Sequence, residues 1–141
     1  PGFVVLHTEA YDDTRIIPVG APHRPASLVQ PGGDSIARWE GDVLEVETKN
    51  LDPELSTHGI VTVKSPDATI IERFELVAPD ELLYRYTIID PAYYSRPWTA
   101  EYSMVRTKER MYEFACHEGN YSMGGMLSGA RREQRKLSGQ P

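Results

Sequence analysis

The chain has 141 residues, the length of one domain, and 40% hydrophobic, 26% charged and 9% aromatic residues, as in an ordinary globular protein. Its 21 acidic and 15 basic residues give a formal net charge of −6, which argues against a nucleic-acid partner because phosphate backbones are bound through basic surfaces. No apolar run approaches the ~20 residues that cross a bilayer, so we predict no membrane span. We expect a single domain over residues 1–141.

The start of the chain predicts a hairpin followed by a long loop. Residues 3–8 and 14–17 are rich in β-branched side chains and are separated by turn-forming aspartates, which is typical of two paired strands. Residues 18–34 contain four prolines and three glycines, and this composition excludes a regular helix or a central strand. A loop of this length in a compact domain is usually a lid, a binding loop or a partner contact.

Strands dominate the sequence after this loop. Apolar and polar residues alternate with period two in several segments, which favours half-buried antiparallel strands. Gly41 lies in a short turn where a residue that tolerates positive φ is expected. The predicted strands span residues 35–39, 43–48, 60–63, 69–77, 82–89, 98–104 and 111–116.

About eight short strands followed by one helix predict a mainly β fold. We expect a small antiparallel barrel or a strongly curved sheet, and a barrel of about eight strands can hold one small ligand. The C-terminal helix is predicted over residues 121–136, because apolar residues recur there at helical spacing. Basic residues at its end suit the helix dipole.

The densest group of reactive side chains lies between the last predicted strand and this helix, in the run C-H-E-G-N-Y at 116–121. His117 is the candidate general base, and Glu118 or Glu113 would orient it. Helix capping is an alternative explanation for the glycine and asparagine of this run, but it requires neither His117 nor Glu118. Two further residues of the run are candidate ligand-binding residues: Asn120 and Tyr121.

A second cluster lies in the aromatic loop at residues 90–98. Two tyrosines, an arginine and a tryptophan near a strand start can form a rim that stacks on a planar or sugar-like ligand. The candidate ligand-binding residues of this loop are Tyr93, Tyr94, Arg96 and Trp98. The alternative is an aromatic plug that closes one end of a barrel, with Arg96 paired to a carboxylate.

Basic residues elsewhere offer further candidates. His23 lies in the rigid run P-H-R-P at 22–25, which could cover a site, and Arg38 could hold an anionic group. A strand arginine that points inward requires a carboxylate partner, because an unpaired buried charge is costly. The strand arginines are Arg15, Arg38, Arg73 and Arg85, and the carboxylates available to them are Glu72, Glu45 and Glu101.

The sequence predicts neither a metal nor a cofactor. The four histidines show no H-x-x-x-H or H-E-x-x-H spacing. The pair Cys116-His117 lacks the second cysteine of the haem-attachment pattern C-x-x-C-H, because Glu113 stands in its place. Phosphate-binding and nucleophile-elbow motifs are also absent from the sequence.

Several short motifs occur together: R-W-E-G-D at 38–42, R-P-W-T at 96–99 and A-C-H-E-G-N at 115–120. This set resembles a family of uncharacterised secreted bacterial proteins, and the resemblance covers nearly the whole chain. It implies a lipocalin-like β core and export, hence a periplasmic or secreted location. It carries over no catalytic residue.

Three functions are compatible with these patterns. The leading hypothesis is a small-ligand or partner-binding β-barrel module of an exported bacterial protein, whose ligand is a small apolar or planar molecule. The second is an acid–base enzyme, a lyase, isomerase or hydrolase, that uses His117. The third is a self-associating structural subunit, a homo-oligomer, because exposed strand edges invite pairing between copies.

Overall fold

The computed structural model describes residues 2–9, 13–30, 32–52, 64–112 and 121–138 of the chain. The elements, in chain order, are β1 (Phe3–Thr8), β2 (Asp13–Pro18), β3 (Asp34–Glu40), β4 (Val43–Lys49), β5 (Thr69–Ala78), β6 (Glu81–Ile89), β7 (Trp98–Val105) and α1 (Ser122–Ser138). β1 and β2 pair as an antiparallel hairpin, and β3 to β7 form a five-stranded antiparallel sheet in which each strand pairs with the next.

The mainly β fold with one C-terminal helix is confirmed, and Gly41 has the expected positive φ of 61°. The described strands form two separate sheets rather than a closed barrel, so the barrel stays a prediction. The strand predicted over 60–63 lies outside the described residues. So does most of the one predicted over 111–116, whose first two residues are not in a strand.

One face of the five-stranded sheet, here called the inner face, carries the β1–β2 hairpin. The register aligns Ala37 and Val46 with each other on this face. Paired residues of neighbouring strands share a face of a sheet, so the residues paired with Val46 across β5, β6 and β7 lie on the inner face as well. Ile17 of β2 packs there against Ala37, Leu44 and Val46, and the four form one buried cluster. Burial of Ile17, Leu44 and Val46, at about 1.5–3 kcal/mol each, holds the hairpin on the sheet.

A second buried cluster lies at the end of the sheet where β5 begins and β6 ends. Its members are Leu51, Ala68, Ile70 and Ile88. Tyr86, Tyr94 and Trp98 pack against this cluster from one side. The two clusters support different parts of the molecule, the first beneath the hairpin and the second beneath the loop that precedes β7.

The helix α1 extends from Ser122 to Ser138, close to its predicted bounds, and has Arg135 and Lys136 in its last turn. Every residue of α1 is exposed. Among the described residues, no helix has the length and apolar character that crossing a membrane requires.

Gly33, just before β3, is the most crowded of the glycines that the structure describes. It has a φ of 74°, and a Cβ built on it would lie 2.8 Å from the carbonyl oxygen of Lys49 and 2.9 Å from Leu51 Cδ2. Gly20 has a similar φ of 70° but no atom within 4 Å of its Cβ position. Substitution at Gly20 therefore measures the free-energy cost of the backbone conformation alone, and substitution at Gly33 measures that cost together with the cost of crowding.

We predict that Gly33→Ala destabilises the protein by about 2–5 kcal/mol, because it adds overpacking to the left-handed backbone cost. Gly20→Ala, the matched control, should cost about 1–2 kcal/mol, the backbone term alone. Urea unfolding followed by tryptophan fluorescence measures both values. Equal losses for the two variants would contradict the close packing at Gly33.

Candidate functional site

A cleft of about 650 Å³ lies between β2 and the chain segment 30–35, within the size range of small-ligand sites. A parallel bridge between Val19 and Ala37 joins the two walls at one end. In the described part of the chain, β2 and β3 form no ladder beyond that bridge, and the cleft occupies the space between them. Its lining includes Thr14, Arg15, Ile16, Arg24, Gln30 and Ser35.

The first wall is fixed by an ion pair between the hairpin and the sheet. Arg15 donates two hydrogen bonds to Glu72, of 2.7 Å to Oε2 and 2.8 Å to Oε1. The Tyr84 hydroxyl donates a third, of 2.8 Å, to Glu72 Oε1. The side chain of Glu72 is 6% exposed, so these bonds replace the water that its charge has lost.

The surroundings of Glu72 also change the ionisation of its neighbours. Burial, and then the negative charge of Glu72, raise the pKa of Tyr84, which keeps the phenol protonated as a donor. Lys64 is 7% exposed. Burial lowers the pKa of its amine, while the charge of Glu72 opposes this shift. One buried carboxylate therefore accepts hydrogen bonds from Arg15 and Tyr84 and also acts through its charge on Lys64.

The second wall is fixed by a network around Asp34. His23 contacts Asp34 Oδ2 through Nδ1 at 2.7 Å and Glu47 Oε1 through Nε2 at 2.9 Å. Arg24 donates to Asp34 through its Nε at 2.6 Å and through its backbone N–H at 2.9 Å. Both ring nitrogens of His23 thus face carboxylate oxygens, and a ring nitrogen that carries a proton donates to the oxygen beside it. These bonds fix the proline-rich loop to β3 and β4.

The network lowers the pKa values of both acidic residues. Burial opposes ionisation of Asp34, but the hydrogen bonds from Arg24 and His23 outweigh it and lower the pKa of this carboxyl. For Glu47, the hydrogen bond from Lys49 lowers the pKa most, burial opposes it, and His23 adds to the lowering. Both carboxylates are therefore held in the charged form by cations of the loop and sheet.

The cleft carries both signs of charge. Arg15 and Arg24 line opposite sides of it, together with Asp13 and Asp34. Each arginine already has a carboxylate partner, Glu72 or Asp34. A lining with equal numbers of cations and anions suits a polar ligand without a large net charge.

The predicted catalytic residues His117, Glu118 and Glu113 lie outside the described residues, as does Asn120. Tyr121 is exposed and precedes α1, and its carbonyl oxygen accepts a hydrogen bond of 2.8 Å from the N–H of Gly125. The acid–base interpretation of the 116–121 run therefore stays a prediction.

The aromatic loop divides into a packed and an exposed half. Tyr94 and Trp98 meet edge to face, with ring centroids 6.0 Å apart, and both pack on the second buried cluster. Tyr93 and Arg96 are exposed. Trp98 Nε1 is buried without a hydrogen-bond partner in the described part of the chain. None of these four residues lines the cleft.

Arg38 lies on the opposite face of the sheet, where it pairs with Glu45 and, at 3.1 Å, with Glu40. It lines a smaller hollow of about 240 Å³ beside Glu45 and Glu47. The carboxylate partners expected for the strand arginines are present. The pairs are Arg15–Glu72, Arg38–Glu45, Arg73–Glu45 and Arg85–Glu101.

Sequence reasoning did not single out Asp34, Glu72, Lys64 or Tyr84 as site residues. The sequence does contain a signal for Glu72. It lies two residues from both Ile70 and Phe74 in a predicted strand, so its side chain must lie on the same face as these apolar residues. A carboxylate on such a face requires buried partners. No local pattern marks Asp34, whose contacts with the loop arise only in the folded chain.

Comparison of the chain with protein-family models, curated proteins and solved structures finds no match. Within the described ranges, no group of three or more His, Cys, Asp or Glu side chains is arranged to hold a metal ion. The interpretation of the cleft therefore depends on its own geometry.

We predict that Glu72→Gln destabilises the protein by about 3–5 kcal/mol, because it leaves Arg15 without a buried anion. Glu101→Gln is the matched control, since the Arg85–Glu101 pair is solvent-exposed and has a similar length of 2.8 Å. It should cost about 0–1 kcal/mol. Urea unfolding gives both values, and similar losses would contradict the structural role of the Arg15–Glu72 pair.

We also predict an acid-sensitive stability. The folded-state pKa of Asp34 lies below its unfolded value, so its contribution is present at neutral pH and is lost as pH falls from about 5 through the folded pKa. Unfolding free energies measured from pH 7 down to pH 3 should decrease, and Asp34→Asn should flatten that decrease. Asp67→Asn, at an exposed turn position, should leave the slope as in the parent protein.

Proposed function

We propose that the protein is a binding module and that the cleft between β2 and residues 30–35 is its ligand site. The observation that carries the proposal is the fixation of both walls. Arg15 and Glu72 hold β2, and the Asp34 network holds the proline-rich loop. A site whose walls are held before the ligand arrives avoids part of the ordering cost of binding.

The lining supports a small ligand with both apolar and polar parts. Ile16, Pro18 and Pro22 offer apolar contact, while Gln30 and Arg24 offer hydrogen-bond donors. The charges of the lining balance, which favours a neutral or zwitterionic molecule over a strongly anionic one.

The proposal includes the wider setting implied by the motif resemblance. The five-stranded sheet would belong to a lipocalin-like core of an exported bacterial protein, in the periplasm or outside the cell. Support comes from the motifs at 38–42, 96–99 and 115–120, and from the hairpin that covers the inner face of the sheet.

Native mass spectrometry of the protein as isolated, beside its denatured mass, tests the proposal. We expect a retained small molecule that is lost on denaturation. Ala21→Trp should reduce the retained fraction, because it fills the cleft with an indole, whereas Ala26→Trp, an exposed loop position outside the cleft, should not. Retention unchanged by Ala21→Trp would place the ligand elsewhere and contradict the proposal.

A specific observation also favours self-association as a second function. Helix α1 presents Met123, Met126 and Leu127 at helical spacing, and all three are exposed. The helix has four basic residues and one glutamate, net +3, which leaves 11 basic and 20 acidic residues, net −9, in the rest of the chain. A second copy of this chain is thus a partner of complementary charge, while an anionic membrane would repel the acidic remainder.

The docking face for this helix would be the open end of the inner face, where β3, β5 and β7 leave large side chains exposed. These are Trp39, Leu76, Tyr102 and Met104. The acidic turn residues Asp80 and Glu81 border the same end. An apolar patch beside acidic groups suits a basic amphipathic helix.

Leu127→Glu should shift the protein toward monomer in sedimentation at several concentrations, because it places a charge in the apolar contact. Ser128→Glu is the matched control, since that position lies off the apolar side of α1. A monomer at every concentration in the parent protein overturns this second function.

A further inference from the structure

The hydrogen bonds at the closed end of the cleft reveal which way the main chain of β2 points. The N–H of Val19 donates to the carbonyl oxygen of Gly2 at 2.9 Å. The main-chain N–H and C=O groups of the odd-numbered residues of this strand therefore point toward β1. In an antiparallel pair the orientation alternates from one residue to the next. The N–H and C=O groups of Thr14 and Ile16 therefore point away from β1, toward the cleft.

The opposite wall follows from the neighbouring bond. The N–H of Gly20 donates to the carbonyl oxygen of Ala37 at 2.8 Å, so the main chain of Ala37 points away from β4. Ser35 precedes Ala37 by two residues and has the same orientation. Its N–H and C=O groups also point toward the cleft, which Ser35 lines.

These main-chain groups have no counterpart across the cleft. In the ranges that the structure describes, β2 and β3 are joined by the Val19–Ala37 bridge and form no ladder at Thr14, Ile16 or Ser35. The edges of β2 and β3 thus face one another across the cleft, with main-chain N–H and C=O groups that form no hydrogen bond between the two strands. Such edges bind other extended chains by strand addition.

We propose that the ligand of the cleft is an extended peptide segment, bound as an added strand along β2. This inference rests on the proposed function of the cleft and names its ligand class. A strand presents its own N–H and C=O groups to one side at every second residue, which matches the spacing of Thr14 and Ile16. The edge from Thr14 to Pro18 is roughly 13 Å long, enough for about four peptide residues.

Pro18 and the charges of the lining define the segment further. Pro18 has the same orientation as Ile16, but it lacks an N–H and adjoins the Val19–Ala37 bridge, so the free pairing edge ends there. Arg24, whose side chain is 46% exposed, lies at the far wall and can donate to an oxygen of the peptide.

A pooled library of N-acetylated, C-amidated hexapeptides, mixed with the full chain and examined by native mass spectrometry, tests the inference. We expect a subset of peptides to remain bound. The best of them is then made again with N-methyl groups on its main chain, which removes the donors and keeps the side chains. The methylated peptide should bind at least about tenfold more weakly, the value of one or two main-chain hydrogen bonds.

Ile16→Pro is the matching change in the protein. It removes an N–H that faces the cleft and leaves the bonds between β1 and β2 in place, because those belong to the odd-numbered residues. We expect binding of the best peptide to weaken about three- to tenfold. Ile16→Val keeps the N–H and should bind as the parent does. Circular dichroism checks that both variants are folded.

The outcomes separate this inference from the function on which it rests. Peptides that bind equally well after N-methylation, or that bind Ile16→Pro as tightly as Ile16→Val, overturn strand addition. If no peptide is retained while a non-peptide molecule is retained and is displaced by Ala21→Trp, the inference falls and the binding function stands. If neither kind of molecule is retained by the folded protein, both fall.

Discussion

The arrangement of this protein depends on the ion pair between Arg15 and Glu72. Hydrophobic burial brings the hairpin onto the sheet, but apolar contacts have no direction and would permit several orientations. A guanidinium that donates two parallel hydrogen bonds to one carboxylate permits only one. Because Glu72 is buried on the inner face and also accepts from Tyr84, the pair fixes β2 at a set position. The cleft beside β2 exists because β2 is held there.

The loop that forms the other wall obeys a similar rule with different groups. Its prolines restrict the backbone, and the contacts of His23 and Arg24 with Asp34 supply the direction. Each wall is thus anchored by a cation of the hairpin or loop that meets a buried carboxylate of the sheet. The two anchors are independent of one another, since they use different carboxylates on β5 and β3. The cleft is consequently a property of the whole arrangement rather than of either segment.

Much of the architecture follows from local patterns in the sequence. Period-two alternation predicts β4 to β7, the turn at Gly41 is marked by its glycine, and the strand arginines anticipate their carboxylate partners. The cleft could not be predicted in this way, because it depends on how far β2 diverges from β3 after the Val19–Ala37 bridge. The position of His23 between Asp34 and Glu47 likewise depends on packing between segments distant in sequence. Closure of a sheet into a barrel is decided by the same long-range geometry.

The Arg15–Glu72 contact joins residues 57 positions apart, while two-residue turns link β3 to β4 and β5 to β6. Contacts between close residues cost less loop entropy and form sooner during folding, so the sheet hairpins should assemble before β2 docks on them. The element that docks last is held by few contacts and is among the first to open in the native state. Amide hydrogens of β2 should therefore exchange with solvent faster than those of β5 and β6. One wall of the proposed ligand site therefore belongs to a layer that opens more readily than the central strands of the sheet.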